Sequence, residues 1–345
     1  MPKSTLKSLP AYLGIDVAKL SLQVCLQRGT TTQQGSFDNS PAGFTKLDHW
    51  LKKRQVGHVH ACLEATGRYG EAVAEHLHAA GHTVSVLNPA QVKYYRRSTL
   101  TRAKTDAMDA ALLAAYGQER QPAAWSPRPP AARQLRELVR RRAALLEMRQ
   151  QERNRLASGE LPPTVVGSLQ AVETVLTQEI DQMEDAMDAT VQADPPLARQ
   201  HALLLSIPGI GQLTANTLLG EIDFRAFPSA RHLAAYAGLT PEPHESGTSG
   251  HGQTHLSPHG AGQIRHALYF PAVSALRCNP LIRVFVERLT ERGKLKMVII
   301  GAVMRKMLHL CYGILRSGQP FDPNYPSQPT PSAQPARQTA PVEAV

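Results

Sequence analysis

Four acidic residues occupy positions where a carboxylate needs a structural or chemical reason. Asp16 lies in GIDVAK, where alternating apolar residues predict a β-strand, and Glu64 ends the predicted strand HVHACLE. Asp106 and Asp109, in KTDAMDA, are three residues apart in a predicted helix and therefore share one face. Carboxylate oxygens suit Mg²⁺, and metal ions stabilise the attacking and leaving oxygens in phosphoryl transfer. The set is therefore a candidate divalent-metal site.

Each of these acids also has a simpler explanation. Asp106 could be a helix N-cap following Thr105, and Glu64 could cap the turn that comes after its strand. It is the ordered set, on an RNase H-like pattern of strands and helices, that favours a metal site. Cations that could hold a phosphate backbone surround the last pair of acids in the sequence. They are Lys93, Arg96, Arg97, Arg102 and Lys104.

A glycine-rich segment around Ser246 could place a nucleophile. Glycine permits close backbone approach to a phosphate, and the segment contains Gly247, Gly250, Gly252, Gly260 and Gly262. A serine hydroxyl is a weak nucleophile that must be activated by a base, a charge or a metal. On the residues alone, a flexible Ser/Gly linker explains the segment better. The spacing of its histidines (His244, His251, His255, His259) matches no zinc site.

Strands followed by alternating strands and helices predict an α/β domain with a mixed sheet over residues 1–126, ending near WSPRPP. Two long helices broken by Pro162-Pro163 predict an antiparallel hairpin or coiled coil over 127–195. Residues 196–326 are expected to be mainly helical, with a Gly/Ser/His-rich loop at 244–262. The tail 327–345 contains little to bury and is expected to be disordered.

The hairpin carries opposite charges on its two helices. Between Arg120 and Leu156 there are ten Arg against three Glu, whereas the second helix is acidic. The two helices could attract each other, or the basic one could bind nucleic acid or another subunit. The second helix has apolar residues three or four apart, which predict a buried seam. They are Leu169, Val172, Leu176, Ile180, Met183 and Met187.

The overall composition favours a polyanionic partner. The chain has 345 residues and a formal net charge of +10. Its four cysteines are far apart, which argues against a zinc knuckle or a disulfide framework and fits a reduced, cytoplasmic setting. The N-terminus lacks the apolar stretch of a signal peptide, and we expect no membrane span.

Two further segments could contact nucleic acid. The turn IPGIG resembles a helix-hairpin-helix turn, in which Gly209 and Gly211 would present backbone N–H groups to a phosphate, but a tight helix–helix turn explains it equally well. Ten Lys or Arg lie between Arg265 and Arg316, among them Arg305 and Lys306, against only two Glu. These helices are expected to track phosphates without reading bases.

Taken together, these motifs resemble a known family. GIDVAK, LEATGRYG and KTDAMDA are similar to the three acidic motifs of insertion-sequence transposases with a RuvC-like DEDD domain, the IS one-ten and IS eleven-eleven family of bridge-RNA-guided recombinases. SIPGIGQLTANTLLGEI and ARHLAAYAGLTP resemble the start of its C-terminal transposase domain. HESGTSGHG resembles its serine motif, and LYFPAV and GAVMRKMLHLCYGIL its closing helices. The resemblance covers about residues 11–325, in the family's order.

The resemblance implies roles for particular residues. It implies an RNase H-like N-terminal fold, Asp16, Glu64, Asp106 and Asp109 as the metal-binding tetrad, and Ser246 as the nucleophile. It also implies a noncoding guide RNA beside element-end and target DNA. Because strand exchange needs several active sites together, we expect a dimer or tetramer in the bacterial cytoplasm, near the nucleoid.

Three other functions fit parts of the sequence. A RuvC-like nuclease would use the same tetrad with water, leaving Ser246 without a role. GIDVAK also resembles the first phosphate motif of sugar kinases and actin-like ATPases, but no second Asp-Gly-rich phosphate motif follows. A binding protein without catalysis would need no carboxylate tetrad.

Overall fold

The structure is a computed structural model. It describes residues 10–65, 67–99, 105–242, 245–246, 250–251, 255–256 and 260–324. The chain divides into two compact units, Met1–Arg128 and Pro129–Val345. The helical hairpin, predicted as a region of its own, belongs to the second unit together with the C-terminal helices. The predicted disordered tail, 327–345, lies outside the described residues.

The first unit contains a mixed sheet, as the sequence predicts, and the sheet has five strands. Its strands are β1 (Tyr12–Val17), β2 (Ser21–Arg28), β3 (Thr31–Asp38), β4 (His60–Glu64) and β5 (Thr83–Leu87), in the order β3-β2-β1-β4-β5. β1, β2 and β3 are antiparallel neighbours, whereas β1, β4 and β5 run parallel. This α/β arrangement is compatible with a RuvC-like domain. The parallel strands place their carboxyl ends at one edge of the sheet.

Four α-helices accompany this sheet: α1 (Pro41–Lys53), α2 (Glu71–Ala79), α3 (Pro89–Ser98) and α4 (Asp106–Arg120). Side-chain caps fix where three of them begin. Ser40 accepts from Gly43 N, Asn88 from Ala90 N, and Thr105 from Met108 N. Thr105 is therefore the N-cap of α4, and Asp106 is its first helical residue. The alternative in which Asp106 caps the helix is wrong.

The second unit is mainly helical. Its helices are α5 (Pro130–Leu156), α6 (Pro163–Ala193), α7 (Pro195–Leu205), α8 (Gln212–Glu221), α9 (Ala230–Tyr236), α10 (Gly262–Cys278), α11 (Pro280–Glu291) and α12 (Lys296–Ser317). Inward-facing side chains from α5 to α12 form one apolar core. By length and composition alone, α12 could cross a bilayer. Half of its apolar stretch, however, is buried within this unit. It is accounted for as a core helix.

α5 and α6 pack side by side as an antiparallel hairpin. Arg142 Nε contacts Glu184 Oε1 at 2.6 Å, and Arg153 Nε contacts Glu173 Oε1 at the same distance. Residue numbers rise along α5 as they fall along α6, which defines the antiparallel direction. The opposite charges of the two helices therefore attract each other, as one of the two sequence interpretations states.

Candidate active site

Asp16 and Glu64 lie beside each other at the carboxyl edge of the sheet. In the parallel pair β1–β4, Ile15 is opposite Leu63, and each acid is the next residue of its strand. Both acids are half-buried, whereas the residues before them are fully buried. A carboxylate at such an edge borders the core and still reaches solvent. The sheet thus brings two of the predicted acids together.

Helix α4 brings the other two acids to the same edge. A Cβ built on Gly14 would lie 1.9 Å from the carbonyl oxygen of Ala110 and 2.4 Å from the amide nitrogen of Ala114. One turn further along the helix, a Cβ on Gly117 would lie 3.4 Å from the ring of Tyr12. α4 therefore lies directly on β1 and runs against it. Its first turn, with Asp106 and Asp109, reaches the end of β1 that carries Asp16.

The tetrad is not drawn together around a single point. Asp109 Oδ1 forms a 2.7 Å salt bridge with Arg96 of α3, and these side chains are only 15% and 26% exposed. Among the residues that the structure describes, no group of three or more His, Cys, Asp or Glu is close enough to hold a metal ion. The donor set suits a hard divalent cation, and the placement at one edge suits a shared site. The four carboxylates are nevertheless further apart, as a set, than the ligands of a metal site, and Arg96 pairs with one of them, Asp109.

The cations predicted to hold phosphate divide into two kinds. Arg96 neutralises Asp109, whereas Lys93 and Arg97, four residues apart on α3, are exposed. Tyr94 lies between them and is 65% exposed. Arg102 and Lys104 lie outside the described residues. α3 therefore presents two exposed cations and an aromatic ring to solvent. They accompany the acidic edge, which is the end of the sheet where Asp16, Glu64 and the first turn of α4 lie.

Ser246 lies in a short β-hairpin where the sequence predicts a loop. β6 (Pro241–Glu242) pairs with β9 (His255–Leu256), and β7 (Glu245–Ser246) pairs with β8 (Gly250–His251). Three residues separate β7 from β8, a length typical of hairpin turns. The backbone of Ser246 thus pairs with Gly250 as the last residue of β7. Within this segment, His244, Thr248, Ser249 and His259 lie outside the described residues.

The turn between α7 and α8 is fixed by packing. Gly209 has a φ of +103°, and a Cβ there would meet the Pro271 carbonyl oxygen of α10 at 3.1 Å. Asn279, which is fully buried, donates its side-chain amide to the Pro208 carbonyl at 3.1 Å. Gly211 is exposed and is the N-cap of α8, and a Cβ added there would meet no atom within 4 Å. Gly209 is therefore needed for chain packing, and only Gly211 is open to a phosphate.

Arg305 and Lys306 lie on α12. Arg305 is close to the start of the segment β6 to β9 that contains Ser246, called here the serine hairpin, and its root is the chain just before β6. Arg305 Nη1 donates to the Leu239 carbonyl at 3.4 Å, whereas Lys306 is exposed. One turn further on, burial lowers the pKa of His309, and the charges of Arg305, Lys306 and Arg231 of α9 lower it further. Arg231 and His309 were not among the residues expected from the sequence. The spacing of Arg305, Lys306 and His309, three and four residues apart, was the available signal.

Two family models of known proteins match this chain, one in each of the regions described above. Residues 13–159 match the DEDD transposase family of IS110, described as Transposase. Residues 201–287 match a family described as Transposase IS116/IS110/IS902 family. These regions contain the acidic edge and the serine hairpin, respectively.

Individual relatives extend this match over nearly the whole chain. The pilin gene-inverting protein of Moraxella bovis is 35% identical over 315 residues, which are 90% of this chain and 97% of that protein. The pilin gene-inverting protein of Moraxella lacunata has the same identity and coverage. An uncharacterized 43.6 kDa protein of the insertion element IS110 in Streptomyces coelicolor is 32% identical over 164 residues, 47% of this chain and 39% of that protein. The chain therefore belongs to the IS110 family of insertion-sequence transposases and is a transposase or site-specific DNA recombinase.

Proposed function

We propose that this recombinase cleaves and rejoins DNA through a phosphoserine link at Ser246, assisted by a divalent metal at the acidic edge. The observation that carries the proposal is the placement of Asp16, Glu64 and the first turn of α4 at one edge of the sheet. Three separate elements supply those carboxylates, so a shared role explains their placement at one edge better than three local roles do. Family membership supports the same assignment.

The acidic edge would hold the metal through Asp16, Glu64, Asp106 and Asp109. Mg²⁺, when bound there, would stabilise negative charge on phosphodiester oxygens. Arg96 holds Asp109 at 2.7 Å, so it must yield that carboxylate before all four acids can share a cation. Lys93 and Arg97, which are exposed on α3, would then hold the phosphates on either side. Gly211 would offer its backbone N–H to a further phosphate.

The chemistry at Ser246 conserves the energy of the DNA backbone. The serine hydroxyl loses its proton as its oxygen forms a bond to phosphorus, and the bond from phosphorus to the leaving sugar oxygen breaks. The sugar oxygen takes up a proton and becomes a free hydroxyl. In rejoining, a sugar hydroxyl loses its proton and its oxygen attacks the phosphorus, while the bond from phosphorus to the serine oxygen breaks and the serine oxygen takes up a proton. Rejoining by this route needs no ATP.

The partners follow from the reaction and the family. The substrates are element-end and target DNA, and the relatives named for pilin gene inversion favour rejoining within one DNA molecule as well. A noncoding guide RNA would read sequence by base pairing, while the protein holds the backbone. The working form would be a dimer or tetramer in the bacterial cytoplasm, because two duplexes must be cut together.

A covalent adduct assay tests the serine. Purified protein, guide RNA, labelled DNA and Mg²⁺ are run on a denaturing gel, where wild type should shift label to the mass of the protein. Ser246→Ala removes one oxygen from a short hairpin and should abolish the adduct with little effect on folding. Thr248→Ala and Ser249→Ala, which remove the nearest hydroxyls in the sequence, are matched controls that should keep it. An adduct in Ser246→Ala overturns the assignment, and wild type that yields only nicked DNA indicates hydrolysis by a RuvC-like nuclease.

Replacing the acids tests the metal site. Asp16→Asn and Asp109→Asn keep side-chain size and remove the negative charge, so recombination should fall by about 100-fold or more, the usual scale for losing a group that stabilises developing charge. Binding of DNA and RNA should be largely retained. Asp38→Asn, an exposed acid paired with Lys46 on the surface, is the control and should recombine normally. Near-normal recombination by both tetrad variants contradicts the metal assignment.

A further inference from the structure

A cluster of cations surrounds a half-buried histidine where α9 meets α12. Arg305 and Lys306 precede His309 by four and three residues, so all three share one face of α12. Arg231, at the start of α9, is close enough for its charge to act on the same imidazole. Three positive charges are thus gathered from two helices around one side chain.

Two polar atoms in this region are buried without a hydrogen-bond partner. They are His309 Nε2 and the Thr240 hydroxyl oxygen. Buried polar atoms are usually satisfied, so such a pair indicates a place where a ligand completes the bonding. Arg305 connects the two, because it donates to the carbonyl of Leu239, the residue directly before Thr240. The unsatisfied atoms and the cations therefore belong to one neighbourhood.

The cations have no counter-ion among the residues whose side chains are described. The ion pairs of the second unit use other arginines, chiefly those of α5, and none joins Arg231, Arg305 or Lys306 to a carboxylate. Uncompensated like charges repel each other, and they are stabilised when an anion binds between them. A phosphodiester supplies both the negative charge and acceptor oxygens for Lys, Arg and hydroxyl donors.

We infer that Arg231, Arg305, Lys306, His309 and Thr240 form a phosphodiester-binding site at the root of the serine hairpin. The inference rests on the proposed function, because it assigns the site to the DNA strand that Ser246 attacks. Thr240 directly precedes β6, and Ser246 follows it by six positions in the sequence. Even fully extended, that length spans no more than about 22 Å, a few nucleotides of a DNA strand. The site therefore fixes the register of the strand next to the nucleophile.

Equilibrium binding to a short labelled DNA duplex tests the site without any chemistry. Lys306→Gln and Arg231→Gln each remove one exposed charge, and we expect each to weaken binding about 3- to 10-fold and to lower the salt slope by about one. Lys294→Gln and Arg292→Gln make the same charge change at the exposed turn before α12 and should stay within about twofold of wild type. Cluster variants that bind like these controls overturn the inference.

His309 should make DNA binding depend on pH, an effect that the loss of a lysine or arginine charge alone would not produce. Burial and the neighbouring cations Arg231, Arg305 and Lys306 lower the pKa of His309, and a bound phosphate would raise it. DNA binding should therefore take up a proton and strengthen as the pH falls from about 8 to about 6. His309→Gln should flatten that dependence relative to wild type. An unchanged dependence contradicts the role of His309.

Two further arms separate this site from its alternatives. A matched RNA duplex is measured with the same variants, and loss of RNA affinity alone overturns the assignment to DNA. The adduct assay provides the second arm. If Ser246→Ala still forms the adduct while Lys306→Gln and Arg231→Gln lose DNA affinity, the proposed mechanism is wrong and the binding site is still supported.

Discussion

Gly14 controls how closely the acidic edge can assemble. Its hydrogen faces the backbone of α4, where any Cβ would stand 1.9 Å from the Ala110 carbonyl oxygen. Neither partner can yield, because both are backbone atoms in regular elements. The absence of a side chain at this one residue therefore lets Asp106 and Asp109 approach Asp16. The glycine of the motif GIDVAK is used for packing, and its aspartate is one of the four proposed metal ligands.

Substitution of this glycine should displace α4. Gly14→Ala should destabilise the first unit by about 1–3 kcal/mol or more, the usual range for overpacking in a core, and should reduce recombination as well. Thermal unfolding followed by circular dichroism measures the first effect. Gly57→Ala, where no atom lies within 4 Å of the added Cβ, is the control and should unfold like wild type. A Gly14→Ala protein that matches this control contradicts the close packing of α4 on β1.

The four acids could be predicted from the sequence, but the side chains around them could not all be. Alternation placed Asp16 in a strand and Glu64 at a strand end, because a two-residue period survives in the local sequence. The pairing of Asp109 with Arg96 could not be predicted, since Arg96 lies on α3, which the sequence pattern does not separate from α4. Asn88-Pro89 was the available signal for α3, as an N-cap followed by proline begins a helix.

Among the elements, β3 shows why one strand was missed. TTQQGSFD is an edge strand with mostly exposed residues, so it lacks the apolar alternation that predicts a half-buried strand. The hairpin of β6 to β9 was missed for a different reason, because its ladders are only two residues long. The long helices were predictable, since their apolar residues recur every three or four positions.

The helical hairpin changes character along its length. Ile180 and Met187 of α6 are 3% and 1% exposed, whereas Val172 and Val175 are 43% and 55% exposed. The predicted seam, which includes Val172, Ile180 and Met187, is therefore buried in one part and open nearer the tip of the hairpin, where Val175 is a further exposed apolar residue. A charge in each part tests a different property.

A charge in the buried part should affect folding. Ile180→Glu places a carboxylate in an apolar site without a partner, and we expect it to lower the free energy of unfolding of the second unit by more than about 2 kcal/mol. Chemical denaturation followed by circular dichroism measures the loss. Glu179→Gln, at the preceding residue of α6, removes a charge from a partly exposed position and should have little effect. Equal stability of the two variants contradicts the burial of Ile180.

A charge in the open part should affect assembly. Val172→Glu and Val175→Glu together should leave the unfolding transition unchanged, because both side chains already contact solvent. If subunits meet through this surface, light scattering should give a lower mass for the double variant than for wild type. Thr174→Glu, at an exposed position of the same helix, provides the control. The same mass for wild type and double variant places the subunit contact elsewhere.

Across the whole molecule, which has a net charge of +10, some cations are paired with acidic side chains and others are open to solvent. On α5, Arg142 and Arg153 pair with glutamates of α6, and Arg140 contacts both carboxylate oxygens of Glu221. The cations of α3 and α12 are more open to an anionic partner. Overall composition predicted a polyanionic partner, but only the structure separates cations used in folding from those available for nucleic acid.

Histidines that are wholly or partly buried give both units the same dependence of stability on pH. Burial is the largest cause that lowers the pKa of His60 and His82 in the first unit, and of His201 and His309 in the second, from the ordinary 6.5. Each folded unit therefore holds these imidazoles neutral at a pH where the unfolded chain binds protons. Linkage then requires that stability be greatest above the unfolded pKa and fall as the pH drops below 6.5 towards the folded values.

The melting temperature should consequently stay nearly constant between about pH 8 and 7 and decline from about 6.5 to 5.5. Scanning calorimetry measures it, with each unit treated as its own transition because two-domain chains need not unfold in one step. His82 Nδ1 accepts from the Val59 amide, a role that the oxygen of a glutamine can take over, so His82→Gln should make the decline of the first unit shallower. His49→Gln, at an exposed position of α1, should leave the profile unchanged. A melting temperature that rises on acidification, or identical profiles for the two variants, would show that these histidines do not carry the effect.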